Sequence, residues 1–177
     1  MALPTKIEKA GIEGAGQARN APAWELELQR RLPLFGHRNW IVVADAAYPA
    51  QSSPGIETIV AGADQLRTVA SVLERIAACT HVRANIYIDQ ELEFLDENDA
   101  PGVGAYRREL GVLLKGADTR RLPHEQIIAK LDECAKVFNV LIIKTTLTLP
   151  YTSVFLELDC GYWSVEAEER LRKAMQK

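Results

Sequence analysis

Short apolar runs separated by turn residues mark the expected strands of this chain. The run Trp40–Ala44 (WIVVA), within the stretch FGHRNWIVVADAAYP at 35–49, stands between a Gly-His pair and Asp45 and is typical of a buried strand. Comparable runs predict strands over 82–89, 140–145 and 153–159. The strand at 40–44 raises a question about function, because a polar residue lies near each of its ends.

Apolar residues recur every three or four positions between these strands, as on the buried face of an amphipathic helix. The clearest helix is predicted over 62–80, with one apolar stripe formed by Leu66, Val69, Leu73, Ile76 and Ala77. Further helices are predicted over 24–32, 104–115 and 164–175, and from Pro123 onward with a core face of Ile127, Leu131, Cys134 and Phe138. This alternation predicts a layered α/β domain with a largely buried sheet.

The two ends of the chain differ from its middle. Residues 1–22 are rich in small residues and lack periodicity, so they are predicted to form a flexible N-terminal extension. Residues 23–163 are predicted to form the α/β domain, and residues 164–177 a C-terminal helical extension. The acidic stretch over 89–99 is interpreted as a solvated loop without a function.

Composition narrows the classes of function. The 177 residues are 47% apolar, which suits one domain with a real core, and the net charge of −3 is spread along the chain. No nucleic-acid-binding surface is expected from such mixed charge. No apolar run reaches the roughly 18 residues of a membrane span, and no signal-peptide pattern opens the chain, so a cytoplasmic protein without a membrane partner is predicted. The three cysteines and three histidines show no disulfide or ligand spacing, and no metal is predicted.

Polar residues at strand ends are the remaining candidates for chemistry. GIEGAG at 11–16 has no strand before it, and no GxSxG nucleophile motif occurs. Because α/β sheets place their sites at strand ends, we single out His37, Asp45, Tyr151 and Ser153. Each also has a purely structural interpretation: a histidine in a surface turn, an aspartate that caps a turn, and a Tyr-x-Ser segment in a loop.

The stretch LFGHRNWIVVADAAYPAQS at 34–52 resembles the signature of the D-ribose pyranase / L-fucose mutarotase family, and its DAAYPAQS portion is closer to the fucose mutarotase branch. The resemblance continues at AYRREL (105–110) and at LPYTSVFLELDCG (149–161), and covers roughly residues 24–161. It implies a single domain with three α/β/α layers around a mostly buried mixed sheet.

The family resemblance implies an isomerase that opens and recloses the ring of a monosaccharide such as fucose or ribose, without a cofactor. Members interconvert anomers, or pyranose and furanose forms. On this interpretation His37 is the general acid/base group and Asp45 orients the imidazole or holds sugar hydroxyls. Tyr151 stacks against or hydrogen-bonds the sugar, and Ser153 and His124, the latter in PHEQ, also bind it.

Two positions depart from the family pattern. Asn39 stands where the family commonly has an acid two places after the histidine, and Ser153 stands where it usually has Asn. Both departures leave open which sugar is bound and whether the protein catalyses a reaction on it. A non-catalytic protein that kept the pocket for monosaccharide binding or regulation is therefore the alternative, and an α/β nucleotide-binding module is a third.

The length of the strand at 40–44 adds a geometrical constraint. Six residue steps from Asn39 to Asp45 span ~20 Å in a straight strand, so one subunit brings His37 and Asp45 to one sugar only if the chain bends back at Gly36. Family members are ring-shaped oligomers with sites at subunit contacts. The resemblance therefore implies a homo-oligomer, a decamer, in which Tyr151 reaches the His37 of a neighbouring subunit.

Overall fold

The computed structural model describes residues 21–176, so the extension predicted over 1–22 lies almost entirely outside the described residues. The strands are β1 (Trp40–Ala44), β2 (Ile56–Val60), β3 (Val82–Asp89), β4 (Thr119–Leu122), β5 (Val140–Lys144) and β6 (Val154–Cys160). The helices are α1 (Ala23–Arg31), α2 (Gln65–Ala77), α3 (Val103–Leu113), α4 (His124–Ala135) and α5 (Val165–Ala174).

The six strands form one mixed sheet in the order β2-β5-β1-β6-β3-β4. Neighbours run parallel except for β6, which is antiparallel to both β1 and β3. Strands β1 to β5 therefore all end at the same edge of the sheet, and β6 begins there. Sites in α/β proteins form at this edge, where the loops after the strands meet.

Helices cover both faces of the sheet, as the family resemblance implied. Helices α1, α2 and α3 contribute to a core on one face, which also contains Ile41 and Val43 of β1. Helix α4 packs on the other face, where its Ile127 and Leu131 join Val42 in a second core. Every residue of β1 is buried because the strand has a packed layer on each side. The prediction of a three-layer α/β/α domain is thus confirmed.

Two strands, β2 and β4, were not predicted from the sequence. They are the two outermost strands of the sheet, and their side chains are only partly buried or exposed. Edge strands bury less apolar surface and often carry charge, which is true of β4 with Arg120 and Arg121. Their sequences therefore lack the apolar run that revealed the central strands.

The core faces of two helices also differ from the predicted stripes. In α2 the buried set includes the polar Gln65 and Thr68, while Ala77 is exposed. In α4 the third buried position is Ala135 rather than Cys134. Helix α5 forms where the C-terminal extension was predicted, and none of its residues is buried.

Candidate functional site

Polar side chains lie at one edge of the sheet, where β1, β3 and β4 end and β6 begins. Val154, the first residue of β6, pairs with Val43 on one side and with Ile88 on the other. The residues that follow in β1 and β3 therefore place Asp45 and Asp89 on either side of the start of β6. We refer to Asp45, Asp89, His124, Tyr151 and Ser153 together as the site edge.

Asp45 is held in place by both of its carboxylate oxygens. Oδ2 accepts a hydrogen bond of 3.1 Å from the Ser153 hydroxyl, and Oδ1 accepts one of 2.8 Å from the backbone N–H of Ala47. Ser153 itself is buried. The structure thus brings together two of the residues singled out from the sequence, and the serine keeps contact with the aspartate despite its short side chain.

Tyr151 is the residue before β6 that projects from the site edge. Its backbone has a φ of 55°, in the left-handed region that non-glycine residues adopt only when their surroundings hold them there. The next carbonyl, that of Thr152, accepts hydrogen bonds from Tyr106 Oη at 2.7 Å and from Gln65 Nε2 at 2.8 Å. These two buried donors fix the segment that carries the strained backbone.

Gln65 connects three strand ends beneath the site edge. Besides Thr152, its Nε2 bonds the carbonyl of Val43 at 3.1 Å, and its Oε1 accepts a hydrogen bond from the Thr145 hydroxyl. The side chain is 1% exposed, and all its polar atoms are satisfied. A buried amide with every hydrogen bond made gives the ends of β1, β5 and β6 one fixed arrangement.

His124 meets Tyr151 at the start of α4. The two rings are in edge contact with centroids 5.6 Å apart. The backbone N–H of His124 donates to both carboxylate oxygens of Glu91 at 3.0 Å, which caps the N-terminus of α4. The imidazole of His124 is partly exposed, so it is accessible to a ligand. The family resemblance had implied this histidine as a sugar-binding residue, and that role stays a prediction.

Asp89 is the residue of the site edge that sequence reasoning missed. It was grouped with the acidic stretch that follows it and interpreted as solvated, yet it is fully buried. Its Oδ1 lies 3.1 Å from His124 Nδ1. Burial raises the pKa of the Asp89 carboxyl to about 6, and the negative charges of Glu91 and Asp45 act in the same direction, while the His124 imidazole opposes them. The missed signal was its position directly after a buried strand, the same rule that identified Asp45.

His37 lies at the opposite edge of the sheet from Asp45, because it precedes β1 whereas Asp45 follows it. It is exposed and lines a groove of about 790 Å³ together with Arg83, Asp159 and Trp163. We call this cavity the His37 groove. Helix α5 forms one wall of it. Within one subunit, His37 therefore does not join the other residues proposed from the sequence.

The side chain of Asn39 stabilises the turn that carries His37 through two hydrogen bonds. Its Oδ1 accepts a hydrogen bond of 2.8 Å from the backbone N–H of Gly36, and its Nδ2 donates to the carbonyl of Asn139 at 3.1 Å. An acid at this position would make the first bond but cannot donate the second. The departure from the family pattern at Asn39 is thus accommodated within the turn.

Within residues 21–176, no group of three or more His, Cys, Asp or Glu side chains is arranged to hold a metal ion. Over the same range, no helix has the length and apolar content that crossing a bilayer requires.

The fold and the site edge define an α/β protein with a cluster of polar side chains where its strands end. The chain belongs to the RbsD / FucU transport protein family, whose model matches residues 21–160. This match confirms the resemblance drawn from the stretch at 34–52. It ends before α5, so the C-terminal helix lies beyond the family's common part.

Two solved structures share this fold at low sequence identity. RbsD of Bacillus subtilis, complexed with D-ribose, is 19% identical with a TM-score of 0.54, and the match covers 86% of this chain and 98% of that one. The fucose mutarotase of Streptococcus pneumoniae, in complex with L-fucose, is 20% identical with a TM-score of 0.53, covering 80% and 97%. The two are equally similar, so the preference for the fucose branch stays a prediction. No curated protein sequence matches significantly.

Proposed function

We propose that this protein is a monosaccharide isomerase that speeds ring opening and reclosing of an aldose, in the manner of a mutarotase or pyranase. Its family membership supports the reaction class, and the structural neighbours complexed with ribose and fucose support the substrate class. The observation that carries the proposal is the gathering of Asp45, Ser153, Tyr151 and His124 at one edge of the sheet.

The side chains of the site edge suit the recognition of a sugar. The carboxylate of Asp45 accepts hydrogen bonds from hydroxyl groups, and the phenol of Tyr151 offers both a hydroxyl and an apolar ring face. Ring opening needs one proton delivered to the ring oxygen and another removed from the anomeric hydroxyl. A positioned acid/base group contributes ~10²–10⁴-fold to such a step, and His37 is our candidate for the group at the ring oxygen.

His37 reaches a sugar at the site edge only from a second subunit. The His37 groove and the site edge lie at opposite ends of β1, so a complete site combines the site edge of one copy with the groove of its neighbour. Closed symmetric rings satisfy such a head-to-tail contact throughout. We therefore propose a ring-shaped homo-oligomer, a decamer as the resemblance implied. Helix α5 forms a wall of the His37 groove, and we propose that it is an appendage to the domain that enters the same subunit contact.

Exchange spectroscopy by NMR on a panel of aldoses tests the proposed function. The protein is expected to speed interconversion of anomers or ring forms of at least one sugar, and His37→Ala is expected to abolish that effect while leaving the oligomer intact. The exposed position of His37, far from the other candidates, favours one alternative: a binding protein without turnover. That alternative predicts sugar binding by calorimetry without any acceleration of exchange.

A further inference from the structure

Asp89 is a buried carboxyl with no hydrogen-bond donor among the described residues. Both of its oxygens are unpartnered, although the side chain is fully buried. A buried carboxylate normally carries a large free-energy cost unless it is paired and hydrogen-bonded. A fold gains nothing from such a group, and unsatisfied polar groups of this kind concentrate at functional sites.

The neighbour in contact with Asp89 is the Nδ1 atom of His124, 3.1 Å away. The present alignment of the ring does not make this contact a hydrogen bond, since Nδ1 is unpartnered as well. Catalytic hydrogen bonds are often poorly aligned before substrate binds. A small rotation of the imidazole lets Nδ1–H donate to Asp89, which leaves Nε2 as the nitrogen available to a ligand.

Most of the charged groups around Asp89 favour the protonated form of its carboxyl. Glu91 faces it from the turn after β3, with its carboxylate bonded to the backbone of His124, and Asp45 faces it from the end of β1. The phenols of Tyr48 and Tyr106 are also near enough for the Asp89 charge to contribute to their raised pKa values, for which burial is the main cause. The group that favours ionisation of Asp89 is His124 itself.

We propose that His124, oriented and tuned by Asp89, is the second acid/base group of the reaction and exchanges a proton with the anomeric hydroxyl. Nε2 accepts the proton from the anomeric oxygen, and the electrons of that O–H bond form the carbonyl of the open-chain aldehyde. The bond between the anomeric carbon and the ring oxygen breaks, and the ring oxygen takes a proton from His37 of the neighbouring subunit. Reclosing on the other face of the aldehyde reverses both transfers, so atoms and electrons balance. Asp89 acts through His124 and is a positioning residue.

This assignment rests on the proposed function, and the pH profile of the exchange rate tests it. Asp89→Asn preserves the size of the side chain and removes its charge. We expect the wild-type exchange rate to change with pH near 6, where Asp89 loses its proton. Asp89→Asn is expected to lose at least tenfold in rate at pH 7 together with that pH dependence, while His124→Gln loses rate at every pH. Glu125→Gln, an exposed carboxyl beside His124 on the same helix turn, is the matched control and is expected to keep the wild-type profile.

An NMR measurement that does not depend on activity accompanies these rates. The chain has three histidines, so NMR follows His124 once the signals are assigned with single His→Gln variants. We expect Asp89→Asn to shift the ring nitrogen resonances of His124, because the carboxylate that orients its Nδ1–H is lost, and Glu125→Gln to change them little. Wild-type protein that accelerates no sugar overturns the proposed function. Active protein in which Asp89→Asn keeps the wild-type pH profile, or leaves the His124 ring resonances unchanged, overturns the role of Asp89 alone.

Discussion

His37 and Asp45 lie at the two opposite ends of one buried strand, β1, and so face opposite edges of the sheet. The family signature places both residues in one short stretch of sequence, yet a single subunit cannot present both to one small sugar. If both residues act on the same sugar, they must therefore come from two neighbouring subunits. A site shared by two subunits can be tested directly by mixing two inactive variants.

Mixing two inactive variants is expected to restore activity. His37→Ala lacks the proposed acid/base group, and Asp45→Asn lacks the carboxylate of the site edge, so each variant alone is expected to be inactive. In an oligomer reassembled at random from equal amounts, about one site in four combines an intact site edge with an intact His37. We expect about 25% of the wild-type exchange rate after mixing, unfolding and refolding.

Two controls accompany the mixing experiment. Each variant unfolded and refolded by itself is expected to remain inactive, and light scattering is expected to give the same mass for the mixed and wild-type proteins. A mixture that stays inactive despite forming wild-type oligomers would contradict a shared site. Activity in either variant alone would remove the corresponding residue from the mechanism.

Asp89 is expected to make folding stability depend on pH between about 4 and 6. The pKa of its carboxyl is 3.8 ordinarily and about 6 in the folded protein. Between these values the unfolded chain has lost a proton that the folded chain keeps, so stability falls as pH rises through this window and is lower by up to about 3 kcal/mol above it. Asp89→Asn removes this loss. Its free energy of unfolding should exceed that of wild type at pH 7.5 and match it more closely at pH 4.

Urea unfolding at matched protein concentration measures this difference. Glu125→Gln is again the control, since its exposed carboxyl gives no reason for a comparable pH dependence. A difference between Asp89→Asn and wild type that stays constant from pH 4 to pH 7.5 would show that the Asp89 carboxyl is not destabilised by burial. Gain of stability with loss of rate is the pattern expected of a residue kept for function.

The sequence was sufficient for the centre of the sheet but not for its edges or for the full site. Strands β1 and β3 were predicted with their observed limits, because buried strands require apolar runs. Asp45 was found because it ends such a run. Asp89 ends another, but the acids after it made the whole stretch resemble a solvated loop. Asp89 lies buried in a tertiary contact with His124 at the start of α4, 35 positions later in the chain, and no local sequence pattern reveals such a contact.

The buried donors to Thr152 are expected to govern both stability and the pose of Tyr151. Tyr106→Phe deletes one of two hydrogen bonds to the Thr152 carbonyl and should cost about 1 kcal/mol. Gln65→Leu deletes the other together with its bonds to β1 and β5, and should cost about 3 kcal/mol. Tyr162→Phe is the matched control for the lost hydroxyl, because Tyr162 is 78% exposed.

The kinetic consequence separates positioning from simple stability. The hydrogen bonds to Thr152 hold the segment that carries the left-handed backbone of Tyr151, so we expect Gln65→Leu to raise KM for the sugar at temperatures where the variant is fully folded. Circular dichroism establishes the folded range, and exchange kinetics are measured within it. A folded Gln65→Leu protein with wild-type KM would show that the strain at Tyr151 is maintained by other contacts.

Helix α5 is expected to matter for sugar binding but not for folding. None of its residues is buried, so ending the chain after Gly161 should shift the melting temperature of the domain by no more than about 2 °C. Trp163 lies in the His37 groove and is 43% exposed, whereas Trp24 and Trp40 are buried. Its indole N–H donates to Glu168 at 2.9 Å, which holds the ring at the groove wall. Sugar that enters the groove should therefore change tryptophan emission mainly through Trp163.

Fluorescence titration and exchange kinetics on Trp163→Phe test this role. We expect the sugar-induced change of emission to disappear and KM to rise about threefold to tenfold, since the smaller ring loses contact area and the indole N–H that holds it at the groove wall, together worth about 1 kcal/mol. Leu171→Ala, in α5 but outside the groove lining, is expected to behave as wild type in both measurements. If Trp163→Phe retains the emission change, the signal arises from Trp24 or Trp40. The protein that ends after Gly161 lacks every residue that the C-terminal segment contributes to the groove. If this truncated protein also keeps wild-type KM, α5 has no part in the sugar site.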